Sequence, residues 1–396
     1  MDSRSLLNAE AVRAASVRAL DTALADGLAE WTVDLGQLEP TADFVAEVIR
    51  DQYPTLDVPF HARWRHFTVG GQNLWTATAR WSNADAKART AFDLAITSVM
   101  LDAGAGPDWK YHDAASGTVT TRSEGLGVAS LRTFESGAFA TDPKGDPLRA
   151  DDLSNLTVED LSASFQVSES NPLVGLEGRA ALLQRLGHQV AARPDLFATK
   201  DVARPGGLYD ILAGWAGPQK VLPARRILDL LLEALGPIWQ NRLEIDGVPM
   251  GDTWAHPVLG LVPIHKLSQW LSYSLIEPLH EAGIIVVEID GLTGLAEYRN
   301  GGLFIDKAIT VLRDPADMAR VHNVSDPLVV GWRTLTVALL DKIAPLVRDR
   351  LGVAETDFPL ARVLEGGTWA AGRVAAKQVR EGGPPPLMIL SDGTVF

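Results

Sequence analysis

Apolar residues at helical spacing recur along most of this chain, and no single motif constrains its fold as strongly. From residue 6 to residue 28, alanines and leucines return at the spacing that gathers them on one helix face. Residues 84–101 repeat the pattern with Ala86, Phe92, Leu94, Ile96 and Met100. The same spacing predicts helices over 41–49, 157–165, 175–192, 208–214, 222–235, 264–282, 315–321, 328–351 and 360–377. Thr41 and Ser123 are the expected N-caps of their helices, and Gly283 the expected residue just past a C-terminus. Pro345 is an expected kink. Residues 61–80 crowd arginine, histidine and tryptophan around Gly70-Gly71 and read as a loop or short extended segment. The apolar tail 391–396 is expected to pack back onto the body as a strand. The fold class that follows is mainly α, an α-rich α+β body with a few short strands. One α-rich domain over residues 1–396 is expected, with two lobes, 1–195 and 196–396.

Composition narrows the function classes. No apolar run approaches the length that spans a bilayer, so no membrane partner is expected. Asp2, Arg4 and Glu10 open the chain without an apolar stretch, so no signal peptide is expected. The chain has no cysteine, which excludes disulfides, thiolate metal sites and cysteine nucleophiles and fits a cytoplasmic location. A net charge of −14 repels phosphate backbones, so no nucleic-acid partner is expected. A small anionic ligand would need a local cationic pocket. Eleven tryptophans, spread from Trp31 to Trp369, suggest an aromatic-lined core or cavity.

Familiar signatures are missing. There is no P-loop, HExxH or GxSxG, and Gly125-Leu126-Gly127 has Ser130 where a dinucleotide fingerprint needs its third glycine. His61 and His66 are neighbours at a spacing that matches no usual helical metal pair, so neither metal nor cofactor is expected.

The densest chemistry lies in residues 290–306. Asp290, Glu297 and Asp306, with Arg299, Asn300 and four glycines, fall in seventeen positions after an apolar run. Glycines admit close backbone approach or positive φ, and polar groups between them can hold a ligand. The plainer reading is a glycine-rich turn between two strands with a Glu297–Arg299 surface pair. Asp290 then marks a turn and Asp306 ends a strand. Elsewhere, Glu124 beside Arg122 either serves a site or caps its helix. His265 and Lys266 follow Pro263 in a first helical turn, where a cation opposes the helix dipole. They either bind an anion or carbonyl, or pack and snorkel at the surface. Gln72, Asn73 and Trp75 can read and stack on planar amide edges. Tyr298 and Trp270 either line a cavity or belong to the core.

Several segments together resemble one family. They are Arg65-His66-Phe67 with Gly70-Gly71, the stretch 122–131, the stretch 171–179, the stretch 260–271, residues 291–306 and the terminal 391–396. Their order and combination resemble the fourth protein of the fungal and bacterial uracil-catabolism pathway, a family carrying a domain of unknown function. The resemblance implies a part in degrading uracil through its nucleotide. In that route a protein similar to a GTP cyclohydrolase opens the ring on the riboside phosphate. A ribosylurea-type intermediate follows, and urea is a final product. A protein without cofactor or metal motifs is then a candidate for cutting the bond between the urea nitrogen and ribose C1′.

Such hydrolysis needs a carboxylate beside C1′ and a donor to the leaving nitrogen. Asp290, Glu297 and Asp306 are the first candidates and Glu124 the next. Arg122, His265, Lys266, Arg299, Asn300, Gln72, Asn73, Trp75 and Tyr298 are candidate substrate contacts. The expected partner is a small molecule, a ribosyl phosphate of urea or a related ring-opened uracil nucleotide. Contact with the ring-opening enzyme is a further possibility. The alternative class is a non-catalytic binding or scaffold protein for that intermediate or that enzyme. A metal-dependent deaminase or amidohydrolase is a weaker third, for want of evident ligands. Residues 261–279 and 286–289 also resemble, more faintly, the queuosine-salvage nucleotide hydrolases, which implies a helical fold related to DNA glycosylases. That group carries Asp-Tyr-Arg where this chain has Ile264-His265-Lys266, so its aspartate is missing here.

Overall fold

A computed structural model describes residues 3–75, 81 and 83–390. It is mainly α-helical, with short paired strands and no extended sheet among the described residues. The chain forms two compact units. The first is formed by the described residues of 3–61, 241–273 and 288–390. The second is formed by the described residues of 62–240 and 274–287. The tail at 391–396, for which a strand was expected, lies outside the described residues.

In the first unit, helix Pro327–Leu351 is the central element. Val329, Val330, Leu335, Leu339, Leu340 and Ile343 are buried all round it, as befits a helix surrounded by others. Pro327 opens it at a position that needs no N–H donor, and Gly352 closes it at φ 71°. Pro345 sits inside it without interrupting it. Against this helix pack Ala9–Leu24, Leu38–Gln52 and Tyr298–Asp306. Strand pairs trim the unit: Trp31–Val33 runs antiparallel to Thr310–Leu312, and Thr253–His256 to Gly260–Pro263.

The C-terminal helical run is built in three pieces, not as one regular helix. Leu360–Arg362 is α, Val363–Trp369 is π-helical, and Ala370–Val379 is α again. Glycines decide how it seats. A Cβ on Gly372 would lie 2.2 Å from the carbonyl oxygen of Arg299, so only glycine lets this run press against helix Tyr298–Asp306. A Cβ on Gly301 would lie 2.6 Å from the Trp332 ring.

In the second unit, helix Ala84–Met100 is the core element, with Phe92, Leu94, Ala95, Ile96 and Val99 buried. Asn83 caps it, accepting from the Ala86 N–H at 2.8 Å. Helices Arg122–Glu135 and Gly207–Ala216 pack on it. Hairpin Lys110–Asp113 with Thr118–Thr121 leads into the first of these. A short parallel pair joins Val221–Pro223 to Ile285–Val287.

Several local expectations are corrected. Thr41 lies inside helix Leu38–Gln52, its hydroxyl bonded to the Gln37 carbonyl, because the helix starts a turn earlier. Thr121, not Ser123, occupies the N-cap position of helix Arg122–Glu135, and Ser123 Oγ donates to Asp102 at 3.1 Å. Residues 222–223, expected to open a helix, belong to a strand, and the helix is Arg225–Leu235. The stretch from residue 61 is a 3₁₀ turn, Arg63–Phe67, then hairpin strands Thr68–Val69 and Gln72–Asn73. Gly70 and Gly71 supply the two positive φ values, 57° and 82°, that its two-residue turn requires. The rest of that stretch, 76–80, lies outside the described residues.

The Gly372 contact yields a direct expectation. Gly372→Ala should lower unfolding free energy by about 2 kcal/mol or more, since overpacking against backbone has no cheap relaxation. Gly214→Ala, which would meet nothing within 4 Å in an exposed helical position, should be neutral or slightly stabilising. Urea unfolding of the two variants checks this, and equal stabilities would contradict it.

Candidate functional site

The loop after helix Leu38–Gln52 delivers His61. Its backbone N–H donates to the Ala361 carbonyl at 2.9 Å, which pins the loop to the start of the C-terminal run. The side chain is buried, and its Nδ1 lies 2.6 Å from Glu365 Oε2. Glu365 projects from the π-helical turn. Gly366 and Gly367 follow it and face Tyr53, Val58, Ile49 and Val45, where a Cβ would stand 2.9–3.1 Å from its nearest neighbours. Two successive glycines inside a helix cost roughly 1 kcal/mol each relative to alanine, so this close approach offsets a real penalty.

Trp270 and Trp369 flank the imidazole, with ring centroids 6.2 and 5.7 Å away. Lys266 Nζ stands 5.8 Å from the Trp270 ring centre, and the Arg373 guanidinium 4.9 Å from that of Trp369. All six side chains belong to the first unit. Among the described residues, no protein group bonds His61 Nε2 or Glu365 Oε1. A carboxylate at this distance from Nδ1 fixes the orientation of the ring, with Nε2 on the opposite edge. Lys266 and Arg373 thus place two cationic side chains against the indoles that flank His61.

Asp252 anchors the start of the helix that carries Lys266 and Trp270. Arg333 grips it with two nitrogens at 2.8 and 2.7 Å, and the Trp254 indole donates at 2.6 Å. Its Oδ2 accepts the Lys266 N–H at 2.9 Å, and its carbonyl accepts from Ile264 and His265. The carboxylate therefore caps helix Lys266–Glu281, and the backbone carbonyl bonds His265, which sits at φ 50°, a conformation a non-glycine residue rarely takes. Burial alone would raise the Asp252 pKa, but Arg333 and the other donors carry it down to about 2. His265 precedes the helix and does not lie in its first turn; it is buried, with Nε2 3.0 Å from the Leu6 carbonyl. Burial lowers its pKa. Lys266 is the first helical residue, and Trp270 is one turn on.

The 290–306 segment forms no turn between strands. Asp290 lies in a 3₁₀ turn, and Tyr298–Asp306 is a helix. Asp290 takes the Leu360 N–H at 2.6 Å and the Arg348 guanidinium, so it ties the C-terminal run to the central helix. Glu297 is the N-cap of helix Tyr298–Asp306 and accepts from the backbone of Arg299 and Asn300. Asp306 ends that helix, not a strand, and Arg380 holds both its oxygens at 2.6 and 2.7 Å. Arg299 donates to the Gly383 carbonyl at 2.9 Å, and its guanidinium lies 5.0 Å from the centre of the Tyr298 ring. Asn300 is fully buried and accepts the Thr368 hydroxyl at 2.8 Å. This segment thus supports the turn that carries Glu365.

The remaining candidates belong to the second unit. Arg122 is exposed and opens its helix at φ 55°, with Glu124 in the first turn. Gln72 and Asn73 form the exposed second strand of the hairpin. Trp75 packs with Trp64 and Trp81 at 5.8 and 4.9 Å. Behind them Arg63 is wholly buried, bonded to Ser98 at 2.6 Å, Asp102 at 2.5 Å and His66 at 2.9 Å. Burial lowers the pKa of its guanidinium. Gly127 allows this packing, since a Cβ there would lie 2.6 Å from His66. Among the described residues no group of three or more His, Asp or Glu side chains could hold a metal ion.

The sequence pattern brought out His61 only beside His66, as a pair at the wrong spacing for a metal, and Glu365 not at all. The available signal was a carboxylate followed by two glycines and a tryptophan, Glu365-Gly366-Gly367-Thr368-Trp369, inside a run otherwise suited to a helix.

Residues 5–396 match the family model described as "Protein of unknown function (DUF1688)". The chain belongs to this family. Protein urg3 of Schizosaccharomyces pombe is 38% identical over 416 residues, spanning 99% of this chain and 98% of that protein. Uracil catabolism protein 4 of Lachancea kluyveri is 34% identical over 408 residues, spanning 92% of each. The family match therefore takes in both units and every residue of the His61–Glu365 cluster.

The Asp252 cap gives a pH dependence with a definite sign. Its folded pKa lies below the ordinary value of 3.8, so its stabilising share is complete above about pH 4. That share, on the order of 2 kcal/mol, fades as pH falls towards 2. The stability gap between wild type and Asp252→Asn should accordingly narrow over that range in urea unfolding. A gap independent of pH would contradict the assignment.

Proposed function

We propose that this protein acts in uracil catabolism, as a cofactor-independent hydrolase that splits a ribosylurea 5-phosphate into urea and ribose 5-phosphate. The observation that carries this reading is the His61–Glu365 pair, with Nε2 and Oε1 left to a ligand and two cations and two indoles around them. The full-length likeness to a protein named for uracil catabolism supports the pathway.

Each part of the proposed substrate has a counterpart. The developing positive charge at C1′ is met by Glu365 Oε1. Lys266 and Arg373 attract the phosphate. The planar ureido group suits the indole faces of Trp270 and Trp369. In the step itself, the C1′–N bond breaks and a water oxygen bonds to C1′. His61 Nε2 takes the proton released by water and returns it to the departing urea nitrogen, while Glu365 Oε2 keeps the ring oriented. Asp290, Glu297, Asp306 and Asn300 act through the framework that places Glu365. His265 acts by starting the helix of Lys266 and Trp270.

The test is incubation of the purified protein with synthetic ribosylurea 5-phosphate, following urea and ribose 5-phosphate. Release is expected, with a fall of about 10²-fold or more in His61→Ala and Glu365→Gln. Asp306→Asn should lose stability and retain most of its kcat. Tight binding without release would sink the hydrolase and favour a carrier of the ring-opened intermediate. Release undiminished in both dyad variants would place the chemistry elsewhere.

A further inference from the structure

Thr368 bonds differently from the other helical threonines whose hydroxyl bonds are described. Thr97, Thr334 and Thr336 each return the hydroxyl proton to the carbonyl four residues back, the usual local bond within a helix. Thr368 instead donates across to Asn300 Oδ1 at 2.8 Å, and both side chains are fully buried. Asn300 is itself anchored, since its Nδ2 donates to the Leu295 carbonyl at 3.1 Å and its backbone N–H to Glu297. The hydroxyl is thus tied to a fixed point outside its own helix.

That point lies beside the π-helical turn Val363–Trp369. A π turn is one residue wider than an α turn and often marks a functional position. Glu365 and Trp369, its third and last residues, both meet His61. Return to α geometry would tighten each step from Glu365 to Trp369 and turn Glu365 around the axis relative to Trp369. The Nδ1–Oε2 contact at 2.6 Å does not survive such a rotation.

We propose that Asn300 and Thr368 are positioning residues whose buried hydrogen bond keeps this turn in π form and so aims Glu365 at His61. Neither touches the substrate on this account. The inference rests on the hydrolase reading only where activity is measured; the geometry of the dyad is tested without it.

The test compares Thr368→Val, which keeps the shape and loses the donor, with Thr368→Ser, which keeps the donor. In proton–nitrogen NMR of histidine-labelled protein, the hydrogen-bonded Nδ1 proton of His61 is assigned by its loss in His61→Ala. That signal should persist in Thr368→Ser and disappear in Thr368→Val, with circular dichroism unchanged. On ribosylurea 5-phosphate, kcat of Thr368→Val should fall by about 10²-fold with KM nearly constant, and Thr368→Ser should restore it. Thr368→Ala, which introduces no clash, carries the same expectation should Thr368→Val not fold. A retained signal in Thr368→Val or Thr368→Ala overturns the inference. If wild type releases no urea, the hydrolase reading fails and the NMR comparison still decides this one.

Discussion

The close contact between the backbone of helix Tyr298–Asp306 and the C-terminal helical run is what the candidate site depends on. Gly372 permits it, because any side chain there would strike the Arg299 carbonyl. Once the two helices meet at backbone distance, Asn300 reaches Thr368, Asp306 reaches Arg380, and Arg299 reaches Gly383. The π turn is then held from one side, while Gly366 and Gly367 admit helix Leu38–Gln52 and the His61 loop on the other. Glu365 is placed by this packing more than by any bond of its own.

Electrostatics follows the same plan. The chain carries a charge of −14, yet the carboxylates of the 290–306 segment are engaged by arginines and backbone N–H groups. Asp290 answers Arg348, Asp306 answers Arg380, and Asp252 answers Arg333. Buried carboxylates persist when paired in this way, and breaking one partner leaves a costly orphan charge. Glu365 differs, since one of its oxygens faces His61 and the other has no bonded partner among the described residues. Lys266 and Arg373 lie against the two indoles that flank His61.

Much of the helical framework was legible because the Ala and Leu spacing is strong in elements such as Ala9–Leu24, Ala84–Met100 and Pro327–Leu351. Their ends were less so. Thr41 and Ser123 look like caps, but caps are local signals that packing overrides by a turn, and both residues ended up serving other bonds. The polar density of residues 290–306 was visible, and its hydrogen-bond partners were not. Glycines there read as ligand cradles, whereas Gly301 serves helix packing against Trp332. Glu365 escaped notice because a π turn has no periodicity of its own, and because His61 lies some three hundred positions away along the chain. Only the cost of Gly366-Gly367 within a helical run hinted at it.

The most direct test is a crystal structure of Glu365→Gln with ribosylurea 5-phosphate bound. The account predicts C1′ at near-attack distance, within about 3.5 Å of the terminal amide of the substituted side chain. It also predicts the ureido nitrogen facing His61 Nε2 and the phosphate beside Lys266 and Arg373. A ligand seated away from His61, with C1′ against another carboxylate or against none, would contradict it.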